Sequence, residues 1–458
     1  MRNPELQRLA WLHLRPGNIA FLAVPVLLVL VVGLEVEGYF MVFERSDASA
    51  MWLNLLCTGL AGLLLCVIAP YAVAGTVISE IRWRTWDWQR LSALDAWNLT
   101  WGKLVGGSAR CWIAAMTPLA LGFGATIVAS GGSPLPITMV VVIGVFAQAL
   151  SLVASLIMVR LGNARRGEAA LCAVVGILGG ATIASRLGDW TQSVNIQGLN
   201  VVPGEWIALL AMAVSAGLVV AGAWRLTQAE LRVPAGNGVW LAILLWVALL
   251  ATGLPDREVL VTTGGRYIFG AIHLMVLALV AALLTPMDTV TVRRTRDRLT
   301  LRSIGTPEPW LLAALATAVL LAVFLVVTVA MPGRTRQVPF NWVPPLTLAA
   351  LLVRDLAIIH FFKLRADAPK GAGAGMLAIF VVWTIVPSVL GYSAASYSPP
   401  ANLALMTGAA TNPLMRFKLG AGITPLVLAG LQAGFMVWLV GWQLRQAELP
   451  VSQGRGRG

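Results

Sequence analysis

Charge is what this sequence has least of. Only 12% of its residues are Asp, Glu, Lys or Arg, while 58% are hydrophobic; a soluble globular chain carries about twice that charged fraction. Acids are the scarcer sign, 20 against 33 Lys and Arg. The three histidines, His13, His273 and His360, are isolated from one another and read as packed or interfacial side chains rather than ligands. The four cysteines, Cys57, Cys66, Cys111 and Cys172, each lie in an apolar run, with neither metal-ligand spacing nor the pairing pattern of a secreted scaffold. No Gly-x-x-x-x-Gly-Lys-Ser/Thr loop occurs. No nucleophile-and-base pair and no His/Cys/Asp/Glu cluster stands out. These absences argue against an ATPase, a metalloenzyme and a hydrolase. No catalytic or metal residue and no cofactor is assigned to this chain.

What the sequence has instead is long apolar runs. A run of about 20 residues crosses the hydrocarbon core as a helix. The runs are continuous rather than alternating, which excludes a barrel, and backbone in lipid must close its own hydrogen bonds. The expectation is an all-α polytopic integral membrane protein with about twelve spans, near 19–34, 51–76, 109–130, 136–159, 169–186, 206–224, 238–254, 267–285, 310–331, 346–362, 375–393 and 421–442. The first run lacks a small-residue cleavage site and reads as a retained span. With a cytosolic N-terminus, most Lys and Arg fall in inner segments, as the positive-inside bias requires. The loop Pro332 to Pro345, with Arg334 and Arg336, runs against it. Topology therefore accounts for the net charge of +13, so nucleic acid is not expected as a partner. The expected location is the cytoplasmic (inner) membrane, both termini inside.

Two inner segments break the apolar pattern. Residues 1–18 place Leu6, Leu9, Trp11 and Leu12 on one helical face and read as an interfacial amphipathic helix. Ser79 to Lys103 mixes Glu80, Arg82, Arg84, Asp87, Arg90, Asp95 and Lys103 with Trp83, Trp86, Trp88, Trp97 and Trp101. It suits a helix along the headgroup boundary, indoles in the interface, and is the expected docking element for a soluble partner.

The chain also repeats. Trp224 to Leu231 (WRLTQAEL) ends the sixth expected span, and Trp442 to Leu449 (WQLRQAEL) ends the twelfth. They differ only where Arg225 faces Gln443 and Thr227 faces Arg445. Arg160-Leu161 corresponds to Lys363-Leu364, and the loop after span two to Thr289–Pro309. Six spans per half keep the halves in one orientation, so the repeats are parallel. The expected organisation is 1–18 amphipathic helix, 19–231 first half, 232–449 second half and 450–458 tail. Each half has a long outer loop before its last span, Leu187 to Glu205 and Ala394 to Gly420.

On these features the chain resembles the permease subunits of ABC-2 type transporters. The inner-loop pattern of that family is matched at Glu80, Arg82, Thr85, Asp87, Leu91, Leu94 and Gly102-Lys103-Leu104. Asn412-Pro413 is similar to the Asn-Pro of its re-entrant hairpin. Arg84 replaces the family's glycine, its proline after the leucines is missing, and the second half keeps only Asp288, Arg293, Arg294, Arg296, Asp297 and Arg298. The resemblance implies two fused six-span units forming an export pathway. It also implies a separate ABC ATP-binding subunit, in two copies and carrying ATP and Mg, docked on Glu80, Arg82, Arg84, Asp87, Arg90 and the Asp288–Arg298 loop.

Charges inside a span are costly in lipid and mark functional candidates. Arg354 and Asp355 lie in the tenth expected span as a possible lining of the pathway. Adjacent helical residues point about 100° apart, so the two are not expected to pair with each other. Arg354 is otherwise expected to snorkel, and Asp355 to bond across helices. Two other classes fit less well. An ion-coupled secondary transporter shares the span count, but the chain lacks the Gly-x-x-x-Asp-Arg-x-Gly-Arg-Arg run and long central link of the major facilitator group. A lipid-modifying enzyme needs acids or histidines clustered near an interface, which are missing here.

Overall fold

The computed structural model describes residues 3–13, 27, 31, 46–91, 94–130, 135–160, 168–193, 204–233, 236–253, 263–285, 308–330, 343–365, 374–375, 377–379 and 424–448. Every described element is helical. Seven helices are long and apolar enough to cross a membrane: Trp52–Arg82, Ala96–Ala125, Leu135–Arg160, Trp206–Glu230, Pro309–Val326, Pro345–Leu364 and Leu426–Leu444. Three shorter apolar helices, Glu168–Thr182, Gly238–Leu250 and Gly270–Leu284, meet three more of the expected spans. All but a few residues of the expected spans 19–34 and 375–393 fall outside the described residues, as do Ala394 to Gly420 and Asp288, Arg293, Arg294, Arg296, Asp297 and Arg298. Among the described residues the fold is all-helical, and its apolar helices are those of a membrane-embedded protein. Its chain divides into two compact units, Met1–Ala235 and Gly236–Gly458.

In the first unit, α1 is Pro4–His13. Helix α2, Ser46–Gly62, runs through a π-helical turn, Leu63–Ile68, into α3, Ala69–Arg82. The short α4 is Thr85–Leu91. Helix α5, Ala96–Trp101, runs through a second π-helical turn, Gly102–Gly106, into α6, Gly107–Ser130. Then come α7, Leu135–Arg160, α8, Glu168–Ser193, and α9, Gly204–Glu230. Helix α8 continues to Ser193, so the first part of the expected outer loop 187–205 is helical.

Helix α7 is central, packed by α3, α8 and α9, while α2 lies along α6. Val73, Val77, Leu104, Leu152 and Leu156 are buried at this centre. The first π turn has a local cause. Pro70 has no N–H to donate, so the ladder is already broken there. The Leu65 carbonyl left over accepts from buried Gln148 Nε2 on α7 at 3.1 Å, and Ser151 Oγ on α7 also donates to Pro70 O at 2.8 Å. Helices α7 and α8 meet where Gly176 faces the Ala147 carbonyl. A Cβ there would stand 2.4 Å from that oxygen, so only glycine allows the approach.

The repeated octapeptide is structural in the first unit. It ends α9 and ties it to its neighbours. Trp224 packs edge-on to Trp97 with ring centroids 5.8 Å apart, Thr227 Oγ1 accepts from Thr100 Oγ1 at 3.1 Å, and buried Glu230 pairs with Arg160 Nε at 2.9 Å. Arg160, the last residue of α7, is therefore part of this clamp.

In the second unit, α10 is Gly238–Gly253, α11 Thr263–Leu284, α12 Pro309–Ala330, α13 Val343–Arg365 and α14 Thr424–Glu448. Helix α11 packs on α10, α12 and α13, and α13 on α14. Leu274, Met275, Leu348 and Leu351 are fully buried there. Lys363 Nζ closes the end of α11 by donating to the carbonyls of Ala282 and Leu283, each at 2.9 Å, and of Thr285. A cation at a helix C-terminus satisfies both orphan carbonyls and the dipole.

Candidate functional site

The site is an elbow between α3 and α5. Helix α3 ends because Arg84 takes a left-handed conformation, φ 57°, and its N–H bonds back to Ile81 O at 3.0 Å. Glycine is the usual residue for such a cap, since a Cβ is strained there by about 1 kcal/mol. Thr85 Oγ1 donates to the Glu80 carbonyl at 3.2 Å, and α4 then turns away. Asp95 restarts the helical path: its backbone is extended, and its carboxylate accepts from Trp97 N at 3.1 Å. The expected single headgroup helix over Ser79–Lys103 is thus three pieces. Its last residues belong to a continuous apolar helix that begins at Ala96 rather than near residue 109.

The elbow has an outer and an inner face. Arg82, Arg84 and Asp87 are exposed, with Trp83 at 76% and Trp88 at 75%. Arg90 lies on α4. Trp86 points inward and is only 4% exposed. Glu80, expected on the docking surface, is also buried. That expectation is corrected by its partners: Lys103, Arg8 at 2.5 Å and Gln89 Nε2 at 2.8 Å. A carboxylate can stay buried as an ion only when cations and donors surround it like this.

Lys103, which the sequence places in the charged stretch and in the Gly-Lys-Leu match but not among the expected docking residues, is the centre of the inner face. It is 1% exposed, bonded to Glu80, 3.7 Å from Glu5 Oε1, and 5.1 Å from the centroid of the Trp86 ring. The ammonium, carried on the second π-helical turn, thus joins that turn to α3, α4 and α1 at one point. A charged residue just before an apolar run reads as an interfacial end. The one available signal was its proximity to two glycines, Gly102 and Gly106, which open the helix to a close neighbour.

That neighbour is α1. Asn3 caps it, accepting from Glu5 N and Leu6 N at 3.0 and 3.1 Å, and its Nδ2 donates to Asn98 O at 2.7 Å. Glu5 and Leu9 are buried against the second π turn, while Trp11 is exposed. The inward face of α1 is therefore partly ionic, not the leucine stripe expected. Glu5 also pairs with Arg8 at 2.8 Å.

Burial pushes the Glu5 carboxyl up, but the bond from Arg8 and the charges of Lys103 and Arg8 outweigh it and hold the group below 4.5. A depressed folded value means that Glu5 stabilises docking above its unfolded value and stops doing so as pH falls through the folded one. Acidification below about 4.5 is expected to raise hydrogen exchange in α1 before the spans unfold. Glu5→Gln should flatten this pH dependence; an unchanged profile would contradict the assignment.

In the second unit the sequence expectation for Arg354 is reversed. The side chain is 2% exposed and does not snorkel. It bonds its own neighbour, Nε to Asp355 Oδ1 at 2.7 Å, and its Nη1 donates to Gln432 on α14 at 2.9 Å. Consecutive Cα–Cβ vectors diverge, but a guanidinium on a three-carbon stem folds back across the gap. Two opposite charges in an apolar bundle gain far more by meeting than by staying apart.

Among the described residues no group of His, Cys, Asp or Glu is arranged to hold a metal. Comparison with protein-family models, with characterised proteins and with solved structures finds no match to this chain.

Proposed function

We propose that the chain is the membrane-spanning permease subunit of an ATP-driven, ABC-2 type transporter. It would be fused from two parallel six-span halves, lie in the cytoplasmic membrane with both termini inside, and work as an exporter. A separate ATP-binding subunit, expected in two copies, would dock on its inner loops. The observation that carries this reading is the two-faced elbow. Arg82, Trp83, Arg84, Asp87 and Trp88 face outward, while the same few residues are anchored inward through Glu80, Trp86 and Lys103. A partner gripping the outer face would pull on α1, α3 and α6 together, because the buried ions leave no slack. The left-handed Arg84 also supports the resemblance, since it occupies the position where the family pattern has glycine.

Arg82→Glu with Arg84→Glu is expected to reduce co-purification of the ATP-binding subunit by at least about tenfold, since two rim attractions become repulsions. Membrane insertion should not change. Full retention of that subunit in mild detergent would count against the reading.

A second reading, an ion-coupled secondary transporter, is favoured by one feature. The Arg354–Asp355–Gln432 group is an ionisable pair inside an apolar bundle, the kind of group that lines ion pathways. Transport by the purified chain under an ion gradient, without ATPase and abolished by Asp355→Asn, would favour it over the first.

A further inference from the structure

We propose that the cleft between α1, α3 and α6 binds the headgroup of an anionic phospholipid whose headgroup carries hydroxyls, as in phosphatidylglycerol. This does not rest on the transporter reading. The cleft has a volume of about 440 Å³, and its polar wall includes Arg8, Arg110, Thr76, Ser79, Thr85 and Glu80.

Three observations define the ligand. The first is charge. Of the charged residues lining the cleft, Arg8 and Arg110 outnumber Glu80, and Glu80 is already neutralised by Lys103 and Arg8. Arg8 uses Nε and Nη2 for its carboxylates, which leaves Nη1 and a half-exposed side chain to face an anion. Basic recesses between spans are where anionic headgroups bind.

The second is hydrogen-bond polarity. Thr76 Oγ1 donates to Val73 O, Ser79 Oγ to Thr76 O and Thr85 Oγ1 to Glu80 O. All three hydroxyls have their hydrogens engaged, so toward the cleft they can only accept. A phosphate bonded to the arginines then needs donors further along its headgroup. A glycerol supplies them through its hydroxyls without placing a second cation beside the arginines, as the ammonium of a serine headgroup would.

The third is an acyl path. Leu63, Val67 and Tyr71 are exposed, each about one turn beyond the last. They form an apolar ridge along the first π-helical turn and the start of α3 leading into the cleft, where Trp83 supplies an interfacial aromatic rim. A free phosphate would have no use for this ridge.

Gly75 provides a clean test. It lines the cleft, and a Cβ built on it meets nothing within 4 Å. Gly75→Leu therefore plugs the cleft without removing a charge. The full chain, purified in detergent, is titrated with phosphatidylglycerol or phosphatidylcholine and read by native mass spectrometry. The wild type should retain phosphatidylglycerol over phosphatidylcholine. Gly75→Leu and Arg110→Gln should each weaken that retention about tenfold, the scale of one lost charge-assisted contact. Arg82→Gln, an exposed cation outside the cleft, should not. Inorganic phosphate should fail to displace the lipid. Retention unchanged in Gly75→Leu, or equal loss in Arg82→Gln, overturns the proposal. Full displacement by inorganic phosphate overturns the lipid assignment. If Arg110→Gln does not fold, Gly75→Leu alone decides.

Discussion

Lys103→Met is expected to destabilise the first unit by about 3 kcal/mol, at the low end of what removing one partner of a buried ion pair costs. The low end applies because Arg8 still faces Glu5 and Glu80. Methionine keeps the length and packing of the side chain, so the loss reports charge rather than volume. It leaves Glu80 buried without its principal cation, and it removes the contact with the Trp86 ring. Adding Glu80→Gln should recover most of the loss, because a neutral pair of similar shape carries no unpaired charge. Thermal unfolding in detergent, compared across wild type, single and double variants, checks this. A double variant no more stable than Lys103→Met would show that the pair is not the origin of the effect.

Gly102→Leu is expected to expel α1. A Cβ on Gly102 would stand 2.5 Å from Glu5 Cγ, 2.8 Å from Glu5 Cβ and 3.2 Å from the Leu6 backbone nitrogen. Glu5 cannot move aside, because both of its partners, Arg8 and Lys103, fix its carboxylate. The backbone of α1 must therefore shift, and a leucine adds three more carbons to the conflict. We expect a cost of about 3 kcal/mol, the upper part of the overpacking range. A helix of ten residues has little stability alone, so an undocked α1 should lose amide protection throughout. Hydrogen exchange should rise across residues 4–13 while α7 and α9 stay protected. Protection retained in α1 would mean that it is held by something other than the Gly102–Gly106 surface. Together the two variants separate the ionic from the steric part of one joint.

Much of the architecture was legible because hydrophobicity along a single segment is a local quantity. Runs such as 136–159 and 206–224 needed no partner to be recognised as helices for a bilayer, and Leu135–Arg160 and Trp206–Glu230 lie there. The segment between Ser79 and Lys103 was legible as an interruption, since no apolar solvent accepts that density of charge. Its internal geometry was not. A left-handed residue at Arg84 has no signature when the residue is not glycine, and the split into α4 and α5 depends on caps made by Thr85 and Asp95.

Composition and run length alone determined that this is a helical chain for lipid, basic and poor in chemistry-bearing side chains. Only the tertiary structure decided which charges are outside and which are in. Glu80 and Arg82 stand two residues apart, yet one is sealed against Lys103 and Arg8 while the other faces out. Arg354 and Asp355 pair where helical geometry alone argued against it, since burial among α13 and α14 removed the water that would otherwise have held them apart. The physical reason is the same in both cases. The cost of a buried charge depends on partners brought in from distant segments, and that distance is spanned by the fold, not by the order of residues.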